Sequence, residues 1–219
     1  MFFKKKAKIT AIKLYSIGSD LEFTNRQLLV NDIIDIFESK FLELPKDFVI
    51  HGPYGIPKGG AVGIKSFEKK LNSKGHDKYY ALSGNTNNRF GFDISLECHL
   101  EGIEYAELVI WYKSEEFDVH LKEVAETLDK SIRFTCGYEV EFNDDINPTT
   151  ETKLRKGLFG SLSVEINFQN LSWLKNYENG EYRKIGTSAL LSVNQFNKAL
   201  NDIPGLKYEP FGNLYLVQN

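Results

Sequence analysis

The chain has 219 residues, enough to bury a substantial core, and 42% hydrophobic against 26% charged side chains marks a folded globular protein rather than a disordered one. Two cysteines, Cys98 and Cys136, are too few for a disulfide framework in a chain this long; both fall in strand-like runs, so buried free thiols in a reducing compartment are expected. The net charge of −3 hides a polarised distribution, since residues 91–151 carry 16 acidic and 4 basic side chains while both flanks are net basic.

The start, MFFKKKAKIT, has a lysine run with no apolar stretch behind it, which argues against a secretory signal, and no apolar run approaches membrane-spanning length. A soluble cytoplasmic protein is expected. Lys8 to Tyr15 reads as a first strand with Ile9, Ala11 and Lys13 on one side, although Ile12 and Leu14 break strict alternation. Thr24 to Gln27 reads as a capping box, with Phe23 and Leu28 at staple positions. Leu29, Val30, Ile33, Ile34, Phe37 and Phe41 then recur at helical spacing. Pro45 closes that element and Phe48 to Ile50 begins a second strand. Residues 51–63 are irregular and rich in glycine and proline. Ile64, Phe67 and Leu71 form the inner face of a shorter helix.

Residues 79–112 give three strand-like runs, expected to form a central antiparallel meander. Phe90, Phe92, Ile94, Leu96 and Cys98 alternate with polar or small residues, and Leu108 to Tyr112 is apolar throughout, as in a strand covered on both faces. Ser114 is expected to cap a helix with Phe117, Leu121, Val124 and Leu128 along one stripe. Arg133 to Phe142 alternates as a strand, residues 143–156 read as a long polar surface loop, and Leu158 to Phe168 returns to strand. Ser192 to Gln195 is a second capping box, with Leu191 and Phe196 as its staple. Leu206 to Val217 is a broken strand or a hairpin around Pro210 and Gly212.

These elements predict an α+β fold: a mixed, mostly antiparallel sheet with about four helices packed on it, its C-terminal half in the ferredoxin-like order of strand, helix, strand, strand, helix, strand. A single domain over residues 1–219 is expected, or two α+β halves, residues 1–104 and 105–219, sharing one sheet.

Nothing in the sequence fixes a chemical activity. The four histidines, His51, His76, His99 and His120, stand at no zinc-binding spacing, and Asn143, Asp144, Asp145 and Asn147 lack the glycine and closing glutamate of a calcium loop. No nucleophile elbow is present. The glycines of residues 52–63 with Lys58 precede a helix and suit an anionic ligand, but match neither phosphate-loop nor dinucleotide patterns, and a bent loop whose glycines relieve backbone strain is the preferred reading. No catalytic residue, metal or cofactor is therefore assigned. The distinctive feature is acidic: Glu115, Glu116, Asp118, Glu123 and Glu126 fall on the helix expected after Ser114, away from its apolar stripe. They suit either a solvated helix face or the docking of a basic partner.

The C-terminal phrase Tyr182-Arg183-Lys184-Ile185-Gly186-Thr187, followed by Leu190-Leu191-Ser192, resembles the closing region of immunity proteins from bacterial polymorphic-toxin and contact- or type VI-delivered systems. That resemblance implies stoichiometric binding and inhibition of a cognate toxin without catalysis; it transfers no functional residue. The expected partner is a cognate toxin or other basic protein at the five carboxylates, with no direct nucleic-acid or membrane binding. A small enzyme or ligand-binding domain for an anionic substrate at residues 52–63 is the alternative.

Overall fold

The computed structural model describes the chain except residues 1–6, 19–24, 53–58, 75–78, 88, 157–161 and 166–167. Strand β1 (Lys8–Ile17) leads to α1 (Arg26–Ile36), a π-helical turn (Phe37–Phe41), β2 (Asp47–His51) and α2 (Ile64–Lys74). The meander β3 (Ala81–Thr86), β4 (Phe90–Leu100) and β5 (Ile103–Lys113) follows, then α3 (Leu121–Leu128) and β6 (Cys136–Asn143). Short strands β7 (Ile146–Asn147), β8 (Thr152–Lys156) and β9 (Leu162–Glu165) precede a 3-10 helix (Phe168–Asn179). Strand β10 (Ser188–Leu191), α4 (Val193–Asp202), β11 (Lys207–Phe211) and β12 (Leu214–Gln218) close the chain.

Nine strands form one sheet in the order β11-β12-β10-β6-β1-β5-β4-β3-β2, and β7-β8-β9 form a second. Every described strand pair is antiparallel. The fold is α+β. The expected meander is present, and β5 is covered on both faces, with Leu108, Ile110 and Tyr112 in the core beneath the helices and Val109 and Trp111 packed on the opposite face, which explains its unbroken apolar run. The same burial explains the failed alternation of β1. Ile12 and Leu14 pack beneath the helices, while Ala11, Lys13 and Tyr15 are buried on the opposite face.

After Tyr105 the elements run β5, α3, β6, β7, β8, β9, the 3-10 helix, β10, α4, β11 and β12, so the ferredoxin-like order is recovered only by passing over β7, β8, β9 and the 3-10 helix and taking β11 and β12 as one broken strand. The pairing is different: β1 lies between β5 and β6, and β10 pairs with β6 and β12. Among the described residues no helix is long and apolar enough to cross a membrane.

Three expectations need correction. Helix α1 is capped by Asn25, whose Oδ1 accepts from the Leu28 amide at 3.1 Å; Phe23 and Thr24 lie outside the described residues. Helix α3 does not begin at Ser114. The Ser114 hydroxyl is engaged by Thr10 Oγ1 at 2.8 Å, and Phe117 turns in against Phe41 and Phe90, with ring centroids 4.9 and 5.4 Å away. The helix starts after His120, whose amide donates to Glu123 Oε2 at 3.3 Å.

Residues 143–156 are not a long loop. Asn147 Oδ1 accepts from the amides of Thr149 and Thr150, at 2.9 and 3.1 Å, and this turn closes the β7–β8 hairpin. Of the strand expected over Leu158 to Phe168, residues 162–165 form β9, and residues 157–161 and 166–167 are outside the described set.

The C-terminal elements match expectation. Ser192 Oγ and the Gln195 side chain form the reciprocal cap of α4, and Leu191 and Phe196 are both buried. Strands β11 and β12 form a hairpin with a two-residue turn at Gly212 and Asn213. Strand β11 is one edge of the large sheet, and its Lys207, Tyr208, Glu209 and Pro210 are exposed. At the other edge, Val62 bridges β2 at Phe48 through two backbone hydrogen bonds of 2.9 Å.

Candidate functional site

The acidic segment departs from a single helix face because α3 is short. Glu115 and Glu116 sit in the turn after β5, Asp118 in the extended approach to α3, and Glu123 and Glu126 on α3 itself. Two of the five turn toward the protein. Glu116 Oε2 accepts from Arg89 Nε at 2.7 Å and its Oε1 lies 3.4 Å from Lys113 Nζ. Glu123 Oε1 accepts from Lys40 Nζ at 2.5 Å. The hydrogen bonds from Arg89 and Lys40, respectively, hold these carboxyls below the usual glutamate range.

Glu115, Asp118 and Glu126 remain exposed. Asp118 is 3.4 Å from His120 Nε2, and among the described residues Glu115 and Glu126 have no ion-pair partner. Lys122, the one cation of α3, reaches instead to Glu209 on β11 at 2.8 Å. Arg89, Lys40 and Glu43 were not identifiable as members of this surface from the sequence, because their contacts span 27 to 83 residues.

Beside Glu126 lies a groove of about 820 Å³. Its walls are the end of α3 with Asp129 and Arg133, the start of α4 with Val193, Tyr177 and Glu178 of the 3-10 helix, and the β11–β12 turn. Three carboxylates rim it, and Val193 at its mouth is 51% exposed. The buried Glu139 fixes the position of α3: its Oε2 accepts from the Leu121 amide at 3.3 Å and from Ser188 Oγ at 2.9 Å.

On the sheet face away from α1 and α3, strand register aligns Ser83, Asp93, Val109, Lys13 and Tyr138 across five strands. Lys13, 2% exposed, is bonded by Glu151 at 2.8 Å, by the Thr149 carbonyl at 3.1 Å and by Glu107 at 3.5 Å. Glu151 also grips Arg183 through both oxygens. Burial alone would raise the Glu151 carboxyl, but the hydrogen bonds from Arg183 and the charge of Lys13 hold it low. The Arg183 amide and Gln195 Nε2 donate to Tyr138 Oη, at 3.2 and 3.4 Å. This network clamps the β7–β8 turn and the segment before β10 onto the sheet.

At the end of that row a cleft of about 710 Å³ opens over Asp93, Phe92, Trp111 and Thr149. Burial lifts the Asp93 carboxyl above its usual range, against the opposing hydrogen bond from Thr149 Oγ1 at 2.7 Å. His51 Nε2 lies 3.1 Å from Ser83 Oγ. The three residues do not make a hydrolytic triad, since the strand order β2-β3-β4 puts the serine between the imidazole and the carboxylate.

Among the described residues, no three His, Cys, Asp or Glu side chains are placed to hold a metal ion. His76, Lys58 and Gly55 fall outside the described residues, so the centre of the glycine-rich segment assigned to an anionic ligand does too; Gly59 and Gly60 are exposed. Both cysteines are free. Burial raises the Cys98 thiol to about 11 and the fully buried Cys136 further, so neither is a thiolate near neutrality. Compared with known proteins, the chain matches no family model, no curated sequence and no solved structure.

Proposed function

We propose that this protein is a non-catalytic binding protein of the immunity type, acting in the cytoplasm to neutralise a basic toxin by stoichiometric association. One observation carries the reading. Glu115, Asp118 and Glu126 stay exposed around α3 without a Lys or Arg ion-pair partner among the described residues, while Glu116, also exposed, and Glu123 are paired with surface cations of the same chain. Ordered ion pairs hold the surface in shape, and the outward carboxylates supply a field for a basic partner. Such complementarity speeds encounter and blocks a groove that would otherwise take an anionic substrate.

The test compares wild type with the Glu115→Lys/Asp118→Lys/Glu126→Lys variant for binding to the product of any toxin-domain gene found next to the gene for this protein. Folding should be unchanged, because exposed charges seldom contribute more than about 1 kcal/mol. Association measured by stopped flow at low salt should slow at least about tenfold and lose its salt dependence. A triple variant that binds and protects cells as well as wild type would remove the acidic face from the interface. A second reading, a small-ligand site, draws on the cleft above Asp93; it calls for a ligand whose saturable binding disappears in Asp93→Asn.

A further inference from the structure

The face of the large sheet away from α1 and α3 carries two neighbouring rows that reach the cleft above Asp93. In the first, Asn85, Gly91 and Trp111 pair across β3, β4 and β5; in the second, Ser83, Asp93 and Val109 do. Trp111 and Asp93 are therefore diagonal neighbours on one face, with Cα atoms roughly 7–8 Å apart, a gap that an aromatic side chain can reach across. Gly91 fixes how the ring lies. A Cβ at that position would stand 2.7 Å from Trp111 Cζ2 and 3.0 Å from Cε2, so the glycine is what lets the indole lie down on β4. Trp111 is half-buried and lines the cleft, an aromatic surface beside a carboxylate.

Asp93 is the group that the fold leaves uncompensated. Its described partner is a neutral hydroxyl, Thr149 Oγ1 at 2.7 Å, and no Lys or Arg forms an ion pair with it among the described residues. Lys13, two strands away, is taken by Glu151 at 2.8 Å and Glu107 at 3.5 Å. A carboxylate withdrawn from water without a cation costs stability, and such groups gather at functional sites. The charge of the cleft has the same sign. Asp93, Asp144 and Asp145 line it against one cation, Lys113. Lys113 lies 3.4 Å from Glu116, and Asp145 is paired with Lys153 at 2.9 Å, so Asp93 and Asp144 keep no Lys or Arg partner among the described residues. A volume of about 710 Å³ is that of a small-molecule site. The ring quadrupole and the carboxylates attract the same kind of ligand, and tryptophan is the strongest of the rings in this role.

We propose that this cleft binds a small organic cation, whose ammonium lies between the Trp111 ring and the Asp93 carboxylate. The proposal rests on the cleft reading above, to which it gives a ligand class, and does not depend on the acidic face around α3.

Choline and spermidine are the probes, with the uncharged carbon analogue of choline and glucose as neutral controls. Titration calorimetry at low salt should give saturable binding of at least one cation with a Kd below about 1 mM, and of neither control. The chain has two tryptophans, Trp111 and Trp173. In a proton–nitrogen correlation spectrum the cation should shift the indole N–H signal of Trp111 and leave that of Trp173, which is buried in a separate core cluster. Asp93→Asn keeps an acceptor for Thr149, so its Tm should match wild type while Kd rises at least about tenfold. Trp111→Phe keeps a ring, and its Kd should rise about two- to fivefold. The Glu115→Lys/Asp118→Lys/Glu126→Lys variant should bind the cation as wild type does. The proposal is overturned if neither cation binds saturably, if Asp93→Asn binds as tightly as wild type, or if the triple variant loses as much binding as Asp93→Asn. A neutral control that binds and shifts Trp111 keeps the cleft as a ligand site and removes the cation. A Trp111 signal that moves with none of the four compounds removes both.

Discussion

Lys13 is a strand residue with a charged head and no route to water, and everything around it follows from that. Its ammonium needs carboxylates, and Glu151 and Glu107 come from sequence positions 138 and 94 residues away. Glu151 in turn neutralises Arg183. Removing one member strands the others, which typically costs about 3–5 kcal/mol for a buried pair. Glu151→Gln should therefore lower stability by about 3 kcal/mol in urea denaturation at neutral pH. The pH dependence has a definite sign. The folded-state pKa of Glu151 lies below the unfolded value, so its contribution is present above the unfolded pKa, about 4.3, and is lost as pH falls through the folded value. The difference between wild type and Glu151→Gln should thus shrink on acidification below about pH 4. A difference that stays constant to pH 2 would mean that the network is not charge-stabilised.

Among the elements, those whose local chemistry was self-sufficient were the ones legible in the sequence. The cap of α4 is encoded within four residues, Ser192 to Gln195, and forms as read. Ser192→Ala should cost about 1 kcal/mol, a Tm fall of about 2–4 °C that calorimetry resolves. The meander was legible for the same reason, since period-two burial is written into β4 residue by residue. Ser114 misled because its hydroxyl had a distant competitor in Thr10, and a local cap signal carries no information about such a partner. The 3-10 helix at residues 168–179 has no strong periodicity of either kind and was not foreseen. The candidate site was half legible: the carboxylates stand out in composition, but their division into paired and outward groups depends on Arg89 and Lys40.

At the scale of the molecule, nine strands in one sheet leave two edges, and each edge is a template on which another chain can hydrogen-bond. Val62 occupies part of the first, beside β2. Among the described residues no strand pairs with the outer side of the second, β11, and Pro210 protects it. The two-residue turn makes Phe211 and Leu214 a hydrogen-bonded pair, so by alternation the backbone of Pro210 faces outward, where it offers no N–H. A strand approaching from solvent meets a missing donor and a ring at the centre of the edge. The protein thus has a built-in stop against sheet-to-sheet growth, of the kind that keeps a concentrated β-rich protein from assembling into fibres or swapped dimers. Pro210→Val restores the donor with a residue that favours strands. Its sedimentation should become concentration-dependent while its circular dichroism stays that of wild type, and a strictly monomeric Pro210→Val would place the stop elsewhere on the edge.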